Sequence, residues 1–406
     1  MEDGRREMGV GSMEYRVERE RSERFSIFDC RLTIHLFQPV PVHLSLLTSH
    51  FSPLTSHPSP LSSLRSPLIS TRTIGIAGTA KNTGKTTALN ALLQVAHRQG
   101  VSVGVTSIGY DGETIDNVTG LPKPRIMLQR GTIATTSETC IPASGWEMIE
   151  RTGLRTALGE IVVVRCIEPG HLVLAGPNKR LDLASILERM SALGPSLIFI
   201  DGALNRMAPM SVAKGLILAT GAARTSDLLL LAKETGAIEA LFAIPRTGEA
   251  QSGRDTILRS PFPQAEDVLK LLGQNRHRAR RVVFHRPVAP GVLVELARIG
   301  SNDRRMEEIV LRDPVTCLLA APPPEMADAV RACRDAGIRV RVAARLPLLA
   351  VTVNPFLPRP EGHHYVADAV SAEDLSRIMR SAIRTPVVDI VKDGAEPLWE
   401  EISRAT

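Results

Sequence analysis

Short apolar runs alternate with longer amphipathic segments along most of the chain after residue 72. Runs rich in apolar and β-branched residues predict buried strands, and apolar residues that recur every three or four positions predict helices. Strands that alternate with helices are typical of an α/β fold built on a parallel sheet. In the first half of this region the predicted strands are 73–77, 101–107, 196–201 and 215–221, and the predicted helices are 85–99, 183–193 and 227–243.

One segment of this region departs from the alternation. Residues 126–136 predict strands, and residues 145–153 predict a helix. Residues 160–166 and 171–175 predict a hairpin with its turn at 168–170, because a Pro-Gly pair separates two apolar runs. We therefore expect a β insert within the first α/β unit.

The last third of the chain alternates again. The polar residues 245–262 contain Gly and Pro and predict a linker. The sequence therefore predicts a first domain over 73–244 and a C-terminal α/β domain over 263–406. In the latter the predicted strands are 282–285, 309–311, 337–342, 348–354 and 387–391, and the predicted helices are 291–299, 325–336 and 372–384.

The first 72 residues have a different pattern. Residues 2–24 mix acidic and basic side chains without an apolar face, and residues 31–72 contain no acidic residue. A heptad that ends in proline repeats over 47–53, 54–60 and 61–67, and regular prolines disfavour both helix and central strand. We expect residues 1–72 to be a disordered, low-complexity extension outside the fold.

Composition narrows the function classes. Aromatic residues make up only 3% of the 406 residues, which argues against a nucleic-acid platform built on base stacking. The net charge of +6 comes from interspersed residues, which is consistent with a preference for anionic ligands. Five scattered cysteines without a C-x-x-C pair, and no apolar run long enough to span a bilayer, predict a cytoplasmic protein with neither nucleic-acid nor membrane partners.

The segment from residue 73 to residue 97 carries the strongest chemical signal. A predicted strand leads into a glycine-bearing loop, and a helix begins at Lys85, which is the context of a phosphate-binding loop. Backbone amides in such a loop point at an anion, and the helix N-terminus adds partial positive charge. Lys85 is expected to neutralise the outer phosphates, and the Thr86 hydroxyl to bind Mg²⁺. The residues expected to surround the phosphates are Gly78, Thr79, Ala80, Lys81, Asn82, Thr83, Gly84, Lys85, Thr86 and Thr87.

The spacing differs from the usual G-x-x-x-x-G-K-[ST] pattern. Thr79 stands at the position of the first glycine, and Gly78 lies one place earlier. One class of ATPases carries an additional lysine five places before the main one, and Ala80 occupies that position here. The sequence therefore predicts a P-loop NTPase-like fold without assigning it to that class.

Acidic residues follow two other predicted strands. Asp201 ends a buried apolar strand, where a carboxylate can hold the Mg²⁺ hydration shell beside Thr86. Asp111 and Glu113 lie in a loop after the strand 101–107, at the edge where such folds place catalytic groups, although two solvated loop carboxylates are an equally simple interpretation. The candidate catalytic residues are thus Lys85, Asp111, Glu113 and Asp201.

Missing motifs also inform the choice of nucleotide. No Asn-Lys-x-Asp motif for reading guanine occurs, so ATP is the expected nucleotide and the protein is expected to be an ATPase. Likewise, there is no Asp-x-His-x-x-Gly motif for ligating cobalamin.

Several blocks of the sequence together resemble one family, the P-loop subunit of lysine 5,6-aminomutase reactivase. The resemblance covers about residues 73 to 390. The blocks that carry the resemblance are 78–87, 106–113, 118–125, 201–206, 218–222 and 350–355. Of these, 106–113 and 201–206 are the most specific.

This resemblance implies an ATP- and Mg²⁺-dependent reactivating factor, or chaperone subunit. Such a factor acts with a second reactivase subunit on an adenosylcobalamin-dependent aminomutase of lysine degradation, and exchanges its damaged cobalamin. The resemblance assigns nucleotide and Mg²⁺ roles to Lys85, Thr86 and Asp201, and no cobalamin contact to any residue.

Two other functions remain open from the sequence. A small-molecule kinase or ATP-dependent ligase similar to dethiobiotin synthetase has the same first strand, loop and helix, and would use Asp111, Glu113 and Lys123 around an acceptor. The other alternative is a nucleotide-binding scaffold without catalysis.

Overall fold

A computed structural model describes residues 71–111, 124–203, 207–248, 255–258, 263–274, 281–300, 306–362 and 364–404. The extension predicted over 1–72 lies outside these ranges up to residue 70. Within them, none of the helices has both the length and the apolar character needed to cross a membrane.

The described residues form a mixed α/β structure. The strands are β1 (Arg72–Gly78), β2 (Val103–Ser107), β3 (Gly109–Asp111), β4 (Met127–Leu128), β5 (Ile133–Ser137), β6 (Trp146–Thr156), β7 (Gly159–Cys166), β8 (Gly170–His171), β9 (Leu174–Gly176), β10 (Leu197–Ala203), β11 (Gly215–Gly221), β12 (Asp255–Leu258), β13 (Arg281–Phe284), β14 (Glu308–Leu311), β15 (Arg339–Val342), β16 (Leu348–Asn354), β17 (Phe356–Glu361), β18 (His364–Ala369) and β19 (Val387–Val388). The helices are α1 (Lys85–Arg98), α2 (Arg180–Ala192), α3 (Leu228–Phe242), α4 (Ala265–Gln274), α5 (Pro290–Gly300), α6 (Pro314–Ala320), α7 (Pro323–Asp335), α8 (Ala372–Ala382), α9 (Ile390–Asp393) and α10 (Glu396–Arg404).

A nine-stranded sheet forms the centre, in the order β19-β16-β11-β1-β10-β2-β5-β7-β6. Its strands run parallel from β19 to β5, and β7 and β6 complete it in antiparallel pairings. The predicted α/β class with a mostly parallel sheet is therefore confirmed. Because the strands are parallel, the carboxyl ends of β1, β2, β10, β11 and β16 meet at one edge. The chain crosses from one side of β1 to the other between β10 and β11, and such a reversal opens a crevice at this edge.

Both faces of the central strands of the large sheet are buried. On β10, Ile198 and Ile200 face one apolar core with α2, α3 and α8, whereas Leu197 and Phe199 face a second core with α1 and α10. A strand covered on both faces needs apolar residues at successive positions, which explains the uninterrupted apolar runs of the sequence.

The insert contains the main errors of the sequence-based prediction. The helix predicted over 145–153 is wrong, because this segment is β6, an edge strand that pairs antiparallel with β7. Its polar residues favoured a helix, but β6 gains cross-strand contacts along the fully buried Val162–Val164 stretch of β7. The hairpin predicted between 160–166 and 171–175 is also wrong. Since β5 and β6 already flank β7, the segment beyond the turn pairs elsewhere, β8 with β4 and β9 with β3.

A second, four-stranded sheet follows, with the parallel order β12-β13-β14-β15. Its apolar core joins α5 and α7 to residues of α3, and α3 also packs on the large sheet. The domain boundary predicted at 245–262 stays a prediction. Sheet membership does not follow that boundary, because β16 and β19 return to the large sheet.

Two features near the end of the chain differ from the prediction. The strand predicted over 387–391 stops at Val388, because Asp389 caps α9 by accepting hydrogen bonds from the amides of Val391 and Lys392. Directly after β16, the strands β17 and β18 form an antiparallel hairpin that the sequence pattern did not reveal.

Candidate functional site

The loop between β1 and α1 is tied to the neighbouring strand β11. The Thr79 amide donates to the Ala219 carbonyl at 2.9 Å, and the Thr79 hydroxyl donates to that of Thr220 at 2.9 Å. Within the loop, the Thr83 hydroxyl donates to the Ala80 carbonyl at 3.0 Å. A Cβ on Gly78 would lie 2.9 Å from the Thr83 hydroxyl oxygen, so this compact turn requires glycine at residue 78.

The loop ends in two left-handed residues. Asn82 has φ 61° and Gly84 has φ 85°. Asparagine tolerates this region better than most residues, and glycine enters it without a steric cost. The double reversal turns the chain sharply into α1, whose first residue is Lys85.

The N-terminus of α1 has no acidic side chain in its first turn, and its N-cap residue, Gly84, makes no side-chain capping hydrogen bond. The first amides of a helix have no partners inside the helix and carry partial positive charge. An uncapped N-terminus behind a tight loop suits an anionic ligand.

Lys85 and Asp201 are brought into contact at this end of α1. The Lys85 ammonium donates to both carboxylate oxygens of Asp201, each at 2.5 Å. Asp201 is almost fully buried, with 1% of its side chain exposed, and Lys85 is 14% exposed. The contact follows from the strand order, because β10 lies next to β1 with Ile76 opposite Asp201. A buried carboxylate needs such a counter-charge.

Thr86 follows in the first turn of α1 and is buried. Its hydroxyl and the Asp201 carboxylate are oxygen donors, the type that Mg²⁺ prefers. Across the described part of the chain, no group of three or more His, Cys, Asp or Glu residues is arranged to hold a metal. Mg²⁺ commonly binds through one or two protein oxygens plus phosphate and water, so the residues present fit a nucleotide-bound Mg²⁺.

The remaining candidates lie beside this edge or outside the described residues. The Ile108 amide donates to the Asp201 carbonyl at 2.8 Å, directly before β3. Asp111 is the last residue of β3, so it lies in a short strand and not in the loop that the sequence predicted. The Asp111 backbone pairs with Leu174 of β9. Glu113 and Lys123 lie outside the described residues.

Sequence reasoning missed the role of Asn354 at the end of β16. Its side-chain amide donates to the Asn82 carbonyl at 2.9 Å, and its Cβ lies against Gly84. The sequence signal here is an asparagine before proline at a strand end, a pattern that is typical of a turn. The order of strands, which places β16 two positions from β1, was needed to recognise the contact.

Comparisons with known proteins add no relative to this picture. No protein-family model matches the chain, and no curated protein matches it.

Proposed function

We propose that this protein binds a nucleoside triphosphate, with ATP as the default, together with Mg²⁺ at residues 78–87. The observation that carries the proposal is the pair of Lys85 and Asp201 beside the uncapped N-terminus of α1. An ammonium, a carboxylate and the N-terminal amides of a helix at one strand edge are the groups that a magnesium–triphosphate complex requires.

The roles of the side chains follow from their charges. The loop amides and Lys85 bind the phosphates, and Lys85 exchanges Asp201 for a phosphate oxygen. Asp201 and Thr86 then hold the Mg²⁺ side of the complex. When bound, Mg²⁺ supplies positive charge that stabilises the phosphates during transfer to water. The charge of the buried Asp201 thereby stays compensated when Lys85 moves away.

A more specific proposal concerns the purpose of this nucleotide site. We propose an ATP-dependent reactivating factor that acts with a second subunit on an adenosylcobalamin-dependent aminomutase such as lysine 5,6-aminomutase. This proposal is supported by the place of the residues that carry the resemblance. The described parts of the blocks 78–87, 106–113, 201–206, 218–222 and 350–355 all include or adjoin carboxyl ends of strands in the large sheet. Because the resembling blocks lie together at the carboxyl edge of the large sheet, we infer that they form one site, similar to that of the reactivase family.

The test measures binding first and turnover second. Calorimetric titration of Mg-ATP into the protein should show saturable binding, and absence of binding would contradict the nucleotide site. Phosphate release is then measured with the protein alone, with small amino-acid or carboxylate acceptors, and with an inactivated aminomutase.

The three arms of the turnover assay separate the candidate functions. If phosphate release is stimulated by the inactivated aminomutase and not by the small acceptors, the reactivating factor is supported. Acceptor-dependent turnover without a protein partner supports the kinase or ligase, and tight binding without turnover supports the scaffold.

A further inference from the structure

Asn354 occupies an unusual position, since its side chain bonds with two separate structural units. It is the last residue of β16, two strands away from β1. On one side lies the loop before α1, and on the other lies the β17–β18 hairpin, which begins two residues later.

The first contact acts on the loop. The Asn354 side-chain nitrogen donates to the carbonyl oxygen of Asn82 at 2.9 Å. Asn82 is the left-handed, non-glycine residue of the loop, with φ 61°. A hydrogen bond to its carbonyl fixes the orientation of the peptide between Asn82 and Thr83. The direction of the following amides, which are the ones that would face phosphates, depends on that orientation.

The second contact acts on the hairpin. The Asn354 side-chain oxygen accepts a hydrogen bond at 3.2 Å from the amide of Phe356, the first residue of β17. The main chain of Asn354 is also fixed, because its carbonyl accepts from the Ala222 amide at 3.0 Å. A Cβ on Gly221 would lie 2.1 Å from that carbonyl oxygen, so β11 packs closely against this point. The side chain therefore projects from a rigid base.

We propose that Asn354 is a positioning residue of the nucleotide site, which holds the left-handed turn of the loop and links it to the β17–β18 hairpin. The inference rests on the nucleotide binding proposed above and adds a residue that acts through Asn82. Since one amide group bonds to both units, a change in the loop on nucleotide binding is transmitted to the base of the hairpin.

Two substitutions separate the two contacts. Asn354→Ala removes both side-chain hydrogen bonds. Asn354→Asp retains an oxygen that accepts from the Phe356 amide but replaces the donor to Asn82 with a second oxygen. Asn90→Ala is the matched control, because Asn90 also donates to a carbonyl, that of Arg125 at 2.8 Å, and accepts from an amide, that of Met127 at 3.1 Å.

The experiment combines calorimetry with hydrogen exchange on the full chain. Asn354→Ala should weaken Mg-ATP binding by about five- to ten-fold, the loss of one neutral hydrogen bond. Asn354→Asp should weaken it at least as much, and Asn90→Ala should not. Amides of 79–84 should exchange faster in nucleotide-free Asn354→Ala than in wild type. Nucleotide should slow exchange in 356–361 of wild type but not of Asn354→Ala.

The outcomes that overturn the inference are distinct from failure of the proposed function. If wild type binds nucleotide and Asn354→Ala binds it equally well with unchanged loop exchange, the inference is wrong and the nucleotide site stands. If wild type binds no nucleotide, both are wrong. A variant that unfolds is recognised by circular dichroism, and Asn354→Asp, which retains the bond to the hairpin, then gives the result.

Discussion

Two buried aspartates near the carboxyl ends of parallel strands have different partners in this protein. Asp201 does not end its strand as the sequence predicted, because β10 continues to Ala203 in parallel pairing with β1. In the large sheet, Asp201 accepts two hydrogen bonds of 2.5 Å from the ammonium of Lys85, 116 residues away in the sequence. In the small sheet, Asp313 follows β14 and accepts from the amide of Thr316 at 2.7 Å and from its hydroxyl at 2.8 Å. Asp313 also lies 3.4 Å from the guanidinium of Arg312, but its hydrogen bonds to Thr316 are made within its own helix.

The helices at these two edges differ accordingly. Asp313 is the N-cap of α6, and its carboxylate satisfies an amide that would otherwise lack a partner. The N-cap of α1 is Gly84, which makes no side-chain capping bond. A capped N-terminus is complete without a ligand, whereas an uncapped one beside an exchangeable ion pair is suited to bind an anion. Asp313 therefore completes a helix of the fold, whereas Asp201 lies where the proposed nucleotide site would need a carboxylate.

Lys85→Ala should have the largest effect. Mg-ATP affinity should fall by about a hundred-fold or more, since a charge-assisted contact of about 3 kcal/mol is lost. Stability should also fall by about 3 kcal/mol, because the buried Asp201 loses the ammonium of Lys85. Calorimetry and urea unfolding measure the two effects, with Lys233→Ala on the exposed side of α3 as the control. Unchanged affinity in Lys85→Ala would contradict the phosphate-loop interpretation.

The paired substitutions Asp201→Asn and Asp313→Asn test the comparison itself. In wild type, Mg²⁺ should strengthen ATP binding by about ten-fold or more, because the metal replaces Lys85 beside Asp201. Asp201→Asn should abolish this dependence on Mg²⁺, whereas Asp313→Asn should retain it, since asparagine caps helices nearly as well as aspartate. Titrations with and without a chelator measure the difference. Equal dependence on Mg²⁺ in both variants would remove the distinction between the two aspartates.

Gly84→Ala and Gly100→Ala form a second matched pair. Both glycines have positive φ, so each alanine should cost about 1 kcal/mol of stability. A Cβ on residue 84 would also lie 3.2 Å from the Cβ of Asn354, whereas one on residue 100 meets no atom within 4 Å. In addition, Gly84→Ala should weaken nucleotide binding, whereas Gly100→Ala should not. Thermal unfolding measures the stability of both variants, and calorimetry measures their nucleotide affinity. Similar binding losses in both would show that general strain, rather than the loop, controls affinity.

The smallest effect concerns the thiols of Cys317 and Cys333, which lie on α6 and α7 in the core of the small sheet. Burial raises the pKa of Cys317 and of Cys333 to about 12. Because the unfolded thiols lose their protons near pH 9, these residues stabilise the fold fully below that pH. This contribution is lost as the pH rises from 9 towards 12. At neutral pH an alkylating reagent should label the partly exposed Cys140 before either of them, as mass spectrometry would show. Early labelling of Cys333 would contradict the burial of this core.

The sequence pattern identified more of the strands in the parallel part of the large sheet than in its β insert. Uninterrupted apolar runs such as 196–201 identify strands covered on both faces, and Gly84 and Lys85 mark the start of α1. The edge strand β6 carries no such signal, because it buries few residues and its structure depends on pairing with β7. A polar strand at an edge is decided by tertiary contacts rather than by its own pattern.

The candidate site also contains residues that local sequence patterns select and a contact that they do not reveal. Lys85 and Asp201 could be selected from local patterns, a glycine loop and the end of an apolar strand. The contact between Asn354 and Asn82 joins residues 272 positions apart. It depends on the position of β16 beside β11, which no local pattern specifies.

The most direct test of the central claim is a crystal structure of the protein with Mg²⁺ and a non-hydrolysable ATP analogue. We expect the amides of 79–86 to surround the phosphates, Lys85 to have moved from Asp201 to a phosphate oxygen, and Mg²⁺ to lie on the side of Thr86 and Asp201. A nucleotide bound elsewhere, or one bound here with the Lys85–Asp201 pair intact, would contradict this claim.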